Sequence, residues 1–275
     1  MLDHLAPVDL TRRTALVTGA NHGIGAETAR GLASLGASVL VSYLRLDASA
    51  LEPGQAPEYA AARRRDGSTV VDEIRASGGV AEFAEADLAD PATPPSLFDL
   101  AEERLGPVSI LVNNASAWKQ DTFTPGRVDR FGREMSPVTV ESFAQVHVDA
   151  RGGALMIAEF ARRHIARKAV WGRIFALTSG GPDGFPDEVS YGASKAALQN
   201  YTLSAAQELG RFGVTANVVY PPITDTGWIT PEVALAAEEQ SPFRRVAKPA
   251  DVAEVICLLC ADAAQHVTGN VVHVR

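Results

Sequence analysis

The segment that most constrains this chain is Thr18-Gly19-Ala20-Asn21-His22-Gly23-Ile24-Gly25. An apolar run at 15–17 precedes it and a helical pattern at 24–34 follows it, so a strand enters a helix through a glycine-rich turn. Such a turn aims backbone N–H groups and a helix N-terminus at one point, and both favour a phosphate there. Gly19 makes the turn, Gly23 lets the backbone approach a pyrophosphate, and Gly25 lets helix and strand pack closely. No Gly-Lys-Ser/Thr follows, so the loop is not of the nucleoside-triphosphate type. A glycine-rich turn without a ligand is the plain alternative.

The rest of the chain repeats this alternation. Strands are expected at 15–17, 38–43, 80–86, 109–113, 173–178, 215–219 and 270–274, and helices at 24–34, 69–76, 93–104, 140–167, 191–209 and 250–261. The first, second, fourth and sixth strands are almost wholly apolar, as strands covered on both faces are. Alternating β and α segments imply a doubly wound α/β fold, a parallel sheet with helices on both faces. The 275 residues are read as one domain, 1–275. Three irregular stretches interrupt the rhythm, at 44–67, 118–137 and 221–249, the last with a short helix at 231–240. Each follows a strand, and open α/β sheets bind ligands beyond the carboxyl ends of their strands.

Composition narrows the classes. A net charge of −8 argues against a nucleic-acid binder, which would present a basic face. Two cysteines are too few for a disulfide scaffold and fit a reducing, cytoplasmic setting. No stretch approaches the ~20 apolar residues of a membrane span, and residues 1–13 lack the apolar core of a signal peptide. The six histidines do not cluster at metal-ligand spacings, so no metal site is expected. Cys257 and Cys260 have redox-motif spacing but lie in an apolar helical run, which favours core packing.

The spacing Thr-Gly-x-x-x-Gly-Ile-Gly resembles the compact, single-domain branch of the short-chain dehydrogenase/reductase family, and the likeness to 3-oxoacyl-carrier-protein reductase-like members runs from about residue 14 to 274. Asp87-Leu88 resembles the pair that contacts the adenine. Asn113-Asn114-Ala115-Ser116 resembles an Asn-Asn-Ala-Gly stretch that steadies the sheet and lines the cofactor. Tyr191-Gly192-Ala193-Ser194-Lys195 matches a Tyr-x-x-x-Lys signature, and Thr226 follows Pro221 as in the family's segment after strand six. The resemblance implies a Rossmann fold with a seven-stranded parallel sheet in the order 3-2-1-4-5-6-7. It implies cofactor contacts from Gly19, Asn21, His22, Gly23, Ile24, Gly25, Tyr43, Arg45, Asp87, Leu88, Asn114, Ala115, Ser116, Tyr191, Lys195, Pro221, Ile223 and Thr226. It also implies hydride transfer between a nicotinamide and a ketone or secondary alcohol.

Tyr191 and Lys195 are four apart and share a helix face. A neighbouring ammonium, together with a positive oxidised nicotinamide, is expected to lower the phenol's pKa and make it a general acid–base group. By resemblance, Lys195 also holds the nicotinamide ribose, and a serine polarises the substrate carbonyl. The spacing to the tyrosine would put that hydroxyl on Thr178, while the local text Leu177-Thr178-Ser179-Gly180 puts it on Ser179, given one residue fewer in the following loop; Ser179 is preferred. The family's helical Asn, which positions a proton-relaying water, is replaced by Asp149, with His147 as a second occupant. Asp149 can order the water or pair with Lys195, or its charge can impair the site. After strand six, Tyr220-Pro221-Pro222 replaces Asn-Pro-Gly, and Pro222 offers neither an N–H nor freedom at φ.

The end of strand two carries Tyr43 where NAD-preferring members have an acid, with Arg45 two residues on. A guanidinium welcomes a 2′-phosphate, so NADP(H) is favoured and NAD is the alternative. Asp47 complicates this reading. Arg63, Arg64 and Arg65 either add basic contacts or form a solvated helix end. Trp118 and Trp228 stand in loops over the expected cleft, as substrate contacts or as ordinary burial. Partners expected are a small carbonyl or alcohol substrate, neither nucleic acid nor membrane, and a second copy of the chain. The chain stops soon after the last strand, where relatives run on, so a dimer is better founded than a tetramer. The competing view is a cofactor-binding protein with little turnover.

Overall fold

The computed structural model describes residues 7–46, 57–124, 126–128, 132, 134–145, 148–180 and 183–275. Asp47 and His147 lie outside them.

Seven strands form one parallel sheet: β1 (Thr14–Thr18), β2 (Ser38–Tyr43), β3 (Val80–Glu85), β4 (Val108–Asn113), β7 (Gly172–Leu177), β8 (Val214–Tyr220) and β9 (Val271–His273). Their order is β3-β2-β1-β4-β7-β8-β9, and every neighbouring pair is parallel. The expected order 3-2-1-4-5-6-7 is this one once a two-residue pair is set aside, β5 (Asp121–Thr122) with β6 (Ser136–Pro137). β1, β4 and β7 are buried along their whole length, as strands with helices on both faces must be. The edge strand β3 alternates between covered and exposed positions.

Two apolar cores lie on opposite faces of the sheet. One joins α1 (Gly23–Ser34), α3 (Ser68–Ala76) and α9 (Pro249–Leu259) to the sheet, with Leu32, Ile74 and Ile256 buried. The other joins α4 (Thr93–Arg104), α6 (Gly153–Ala166) and α7 (Val189–Leu209), with Phe98, Phe160 and Leu209 buried. Cys257 and Cys260 sit in the first core, and burial pushes the Cys257 thiol up to about 12, so both act as packing groups. At the end of β7 away from its carboxyl terminus, the Trp171 ring lies between two guanidiniums, Arg13 at 3.9 Å and Arg173 at 4.2 Å. The Trp171 indole N–H donates to Asp262 at 2.7 Å.

Two elements depart from the sequence pattern. The helix expected at 140–167 is divided into α5 (Val140–Gln145), a π-turn at Val148–Gly152, and α6. The junction falls at Gly152 and Gly153: a Cβ on Gly153 would stand 2.5 Å from Leu198 of α7, and one on Gly152 would meet Leu88 at 3.0 Å. The backbone passes too close to its neighbours there for any side chain, so glycines stand where the π-turn meets α6. The second departure is α2 (Pro57–Arg64), a helix inside the stretch taken as irregular. It continues into residues 65–67 as an arm folded back on the glycine loop. Asn21 donates its side-chain amide to Arg65 O at 2.8 Å, and Leu46 N–H donates to Arg63 O at 3.2 Å. The remaining helix, α8 (Pro231–Gln240), matches expectation. Among the described residues, no helix is long and apolar enough to cross a membrane.

Candidate active site

The glycine loop leaves β1 with Gly19 at φ +63° and Gly23 at φ +58°, both in the left-handed region. A Cβ on Gly19 would stand 2.7 Å from Ala115 Cα, and one on Gly25 only 2.4 Å from Gly19 O. Asn114 locks this approach, donating its side-chain amide to Thr18 O and Gly19 O at 2.9 Å each. Thr18 Oγ1 accepts the N–H groups of Asn114 and Ala115. Gly23 faces Thr226 across the cleft, where a Cβ would come within 3.0 Å of Thr226 Cγ2. The turn thus combines a backbone that only glycine fits with a helix N-terminus, a cradle suited to a pyrophosphate. Ile24, although in the loop, packs its side chain on the core beneath.

Further along the carboxyl ends, the structure brings together Ser116, Asp149, Tyr191, Ser194 and Lys195. Asp149 and Lys195 form a buried ion pair, Oδ1 to Nζ at 3.2 Å, with both side chains almost fully covered. Lys195 Nζ also donates to Leu177 O at 3.1 Å. Asp149 Oδ2 accepts from Ser116 Oγ at 3.1 Å and from Ser194 Oγ at 3.5 Å. The π-turn delivers Asp149 here from a segment that a plain helix would have carried past. Of the outcomes weighed for Asp149, the structure shows the direct pairing with Lys195. Lys195 Nζ lies 5.6 Å from the Tyr191 ring centroid.

Among the protein's own groups, the Tyr191 phenol is held above its ordinary value. Burial pushes it above its ordinary value; the Lys195 ammonium pulls it down, but Asp149 and Glu188 push it up again, with a Ser116 hydrogen bond lowering it slightly. Burial would also lower Lys195, yet Asp149 and Tyr191 hold it above its usual value. Asp149 cancels much of the charge that would have favoured a phenolate.

At the end of β7, the Thr178 hydroxyl is turned to the helix backbone, donating to Lys195 O at 3.5 Å. Ser179 follows at a half-buried position. The loop after β8 holds Pro221, Ile223 and Thr226 half-buried. Pro222 contributes its carbonyl, which accepts from Thr224 Oγ1 at 2.8 Å. The Trp228 indole donates to Thr224 O and the Trp118 indole to Glu188, just before α7. Asp121, which the sequence did not single out, is wholly buried and accepts the Ser190 N–H at 2.9 Å and the Ser142 hydroxyl at 3.2 Å.

Tyr43 is buried beside Phe83, and register sets Glu85 opposite it. Glu85 pairs with Arg45 through three side-chain hydrogen bonds, the shortest 2.6 Å, at an exposed position. Asp87 Oδ1 accepts the Ala89 N–H at 2.8 Å, while the Leu88 side chain joins the core and leaves only backbone for a ligand. His22 meets Tyr59 of the arm edge-on at 5.9 Å. Burial first, then Arg63 and Arg65, push its imidazole down to about 4, so it is neutral at pH 7. Arg63 is nine-tenths buried, its guanidinium 5.5 Å from the Tyr59 ring centroid. Arg64 and Arg65 are exposed.

A doubly wound sheet with a glycine cradle and a Tyr–Lys pair on one helix defines a nucleotide-linked oxidoreductase of the Rossmann type. A family model described as enoyl-(acyl carrier protein) reductase matches residues 58–275. An NADPH-dependent aldehyde reductase-like chloroplast protein of Arabidopsis thaliana is 33% identical over 276 residues, covering 98% of this chain and 95% of its own. The 7alpha-hydroxysteroid dehydrogenase of Escherichia coli K12 is 29% identical over 273 residues, covering 96% and 93%. The crystal structure of the angucycline C-6 ketoreductase LanV with bound NADP superposes with a TM-score of 0.77 at 31% identity, covering 98% and 96%. The chain belongs to the short-chain dehydrogenase/reductase family of oxidoreductases.

Proposed function

We propose that this protein is an NADP(H)-dependent carbonyl reductase in which Tyr191 is the proton donor. The observation that carries the reading is the buried Ser116–Asp149–Lys195–Tyr191 cluster, in which burial and Asp149, against Lys195 and Ser116, hold the phenol above its ordinary value, so it is protonated at neutral pH. A protonated tyrosine can give a proton to a carbonyl oxygen at once; the reverse reaction must first deprotonate it. A bound reduced nicotinamide supplies the hydride. Ser179 donates a hydrogen bond to the substrate oxygen and polarises the carbonyl. Tyr191 passes its proton to that oxygen as negative charge develops there. Lys195, fixed by Asp149 and Leu177 O, steadies the tyrosinate that remains. The glycine cradle, Thr226 and the arm would hold the dinucleotide.

The substrate is a small ketone or aldehyde. The relatives named above are called an aldehyde reductase-like protein, a hydroxysteroid dehydrogenase and an angucycline ketoreductase, and this chain's loops at 118–137 and 221–249 are where such differences would be written. Tyr191→Phe removes only the hydroxyl. It should leave NADPH affinity near wild type while turnover on any accepted ketone falls by a factor on the order of 10²–10⁴. Wild-type turnover in that variant would end the proposal. One observation favours a second reading, a cofactor-binding protein with little turnover: Asp149 holds the lysine that would otherwise be free for the ribose. A wild type that binds NADPH but reduces no member of a broad ketone and aldehyde panel would support it.

A further inference from the structure

We propose that Arg63, carried on the arm, reads the adenosine 2′-phosphate of NADPH in place of Arg45; this rests on the NADP(H) reading above. Three features of the structure lead there. Arg45, the cation expected from the sequence, is exposed and already held by Glu85 through a bidentate ion pair. A phosphate at Arg45 would have to compete with that carboxylate at close range. Arg63 is nine-tenths buried, yet no carboxylate lies within ion-pairing distance of it among the described residues; its neighbours are the Tyr59 ring and the glycine-loop His22. A buried guanidinium without a counter-ion is costly, and an anionic ligand removes that cost.

The position also fits. The Arg63 carbonyl accepts from Leu46, three residues beyond the end of β2, and the Arg65 carbonyl accepts from Asn21 in the glycine loop. Arg63 therefore stands between the pyrophosphate cradle and the strand end that faces the adenosine ribose in this fold. His22 is neutral there and cannot supply the charge. On the arm, Asp66 turns its Oδ1 to Ser68, whose N–H and hydroxyl it accepts, and makes no ion pair with Arg63. A guanidinium presents a planar fork that matches a phosphate monoester, and it is not displaced by pH. The unused cation, its burial and its place converge on a 2′-phosphate.

The test measures dissociation constants of the full chain for NADPH and NADH by cofactor fluorescence, with 2′,5′-ADP and ADP as fragments with and without the 2′-phosphate. Arg63→Met keeps most of the packing against Tyr59, and a thermal melt shows that it is folded. It should weaken NADPH and 2′,5′-ADP by roughly 10- to 100-fold while leaving NADH and ADP close to wild type. Arg63→Lys should recover part of the loss, and Arg45→Met should keep the wild-type preference. The assignment is overturned if Arg63→Met retains the NADPH preference, if it weakens both cofactors equally, or if Arg45→Met abolishes the preference instead. A wild type that does not favour NADPH overturns the cofactor reading itself, and this is seen before any variant is made.

Discussion

Asp149 controls how the Tyr191–Lys195 pair titrates. Its carboxylate holds Lys195 charged and at the same time opposes a second negative charge on the phenol, whose pKa already stands above its ordinary value because of burial. Asp149→Asn removes the negative charge and keeps an oxygen for Ser116. The phenolate then becomes easier to form, so the Tyr191 pKa falls. Oxidation of an alcohol, which needs the phenolate, should reach its plateau at lower pH in Asp149→Asn than in wild type, with reductive turnover kept or raised. The check is the pH profile of oxidative kcat/KM for the two proteins; superimposable profiles would show that Asp149 does not act through Tyr191. On the neighbouring strand, Ser179→Ala should harm turnover more than Thr178→Ala, because the Thr178 hydroxyl already faces the backbone of α7. Comparing the two turnover numbers on one ketone decides it.

The helix α7, which carries Tyr191 and Lys195, has no capping side chain of its own at Glu188. Its first turn is held from 69 residues away, by Asp121 accepting the Ser190 N–H. Asp121→Ala would leave that buried N–H without an acceptor and should cost about 1–3 kcal/mol, with Asp121→Asn milder because one oxygen remains. Urea unfolding of the three proteins measures this, and equal stability would show that the tie is dispensable. Such a cap could not be read from the sequence, since nothing local to Asp121 names its partner. The strands were legible because burial on both faces writes an apolar run into the chain, and the glycine loop and the Tyr–Lys spacing were legible because their geometry is local. The π-turn was not, because five residues inside a long helical pattern do not change its period visibly. Nor was the Arg45–Glu85 pair, which depends on strand register, or the arm, whose helix is short and polar.

An ion network ties α4 to α6. Glu159 accepts from Arg162 and Arg163, and Arg163 reaches on to Asp99 and Glu102. Hydrogen bonding from Arg162, against some burial, and then from Arg163 holds the Glu159 carboxyl down at about 2. A carboxyl depressed in the folded state adds stability above its ordinary value and loses it as the pH falls towards the folded one. Wild type should therefore lose more stability than Glu159→Gln on going from about pH 5 to pH 3, as urea midpoints would show; parallel losses would remove Glu159 from the account. At the far end of the sheet from the site, Trp171 between its two arginines is the third of only three indoles, the others being Trp118 and Trp228 in the cleft loops. The protein thus carries its own pair of optical channels. Reduced nicotinamide absorbs where indole emits, and the transfer fades steeply with distance, so NADPH should dim the two cleft tryptophans most. Trp171→Phe should keep most of that quench, and the double change Trp118→Phe with Trp228→Phe should lose most of it. What light remains in the double variant then follows the integrity of the sheet alone, and a titration that dims it as strongly as wild type would show that the channels are not separate.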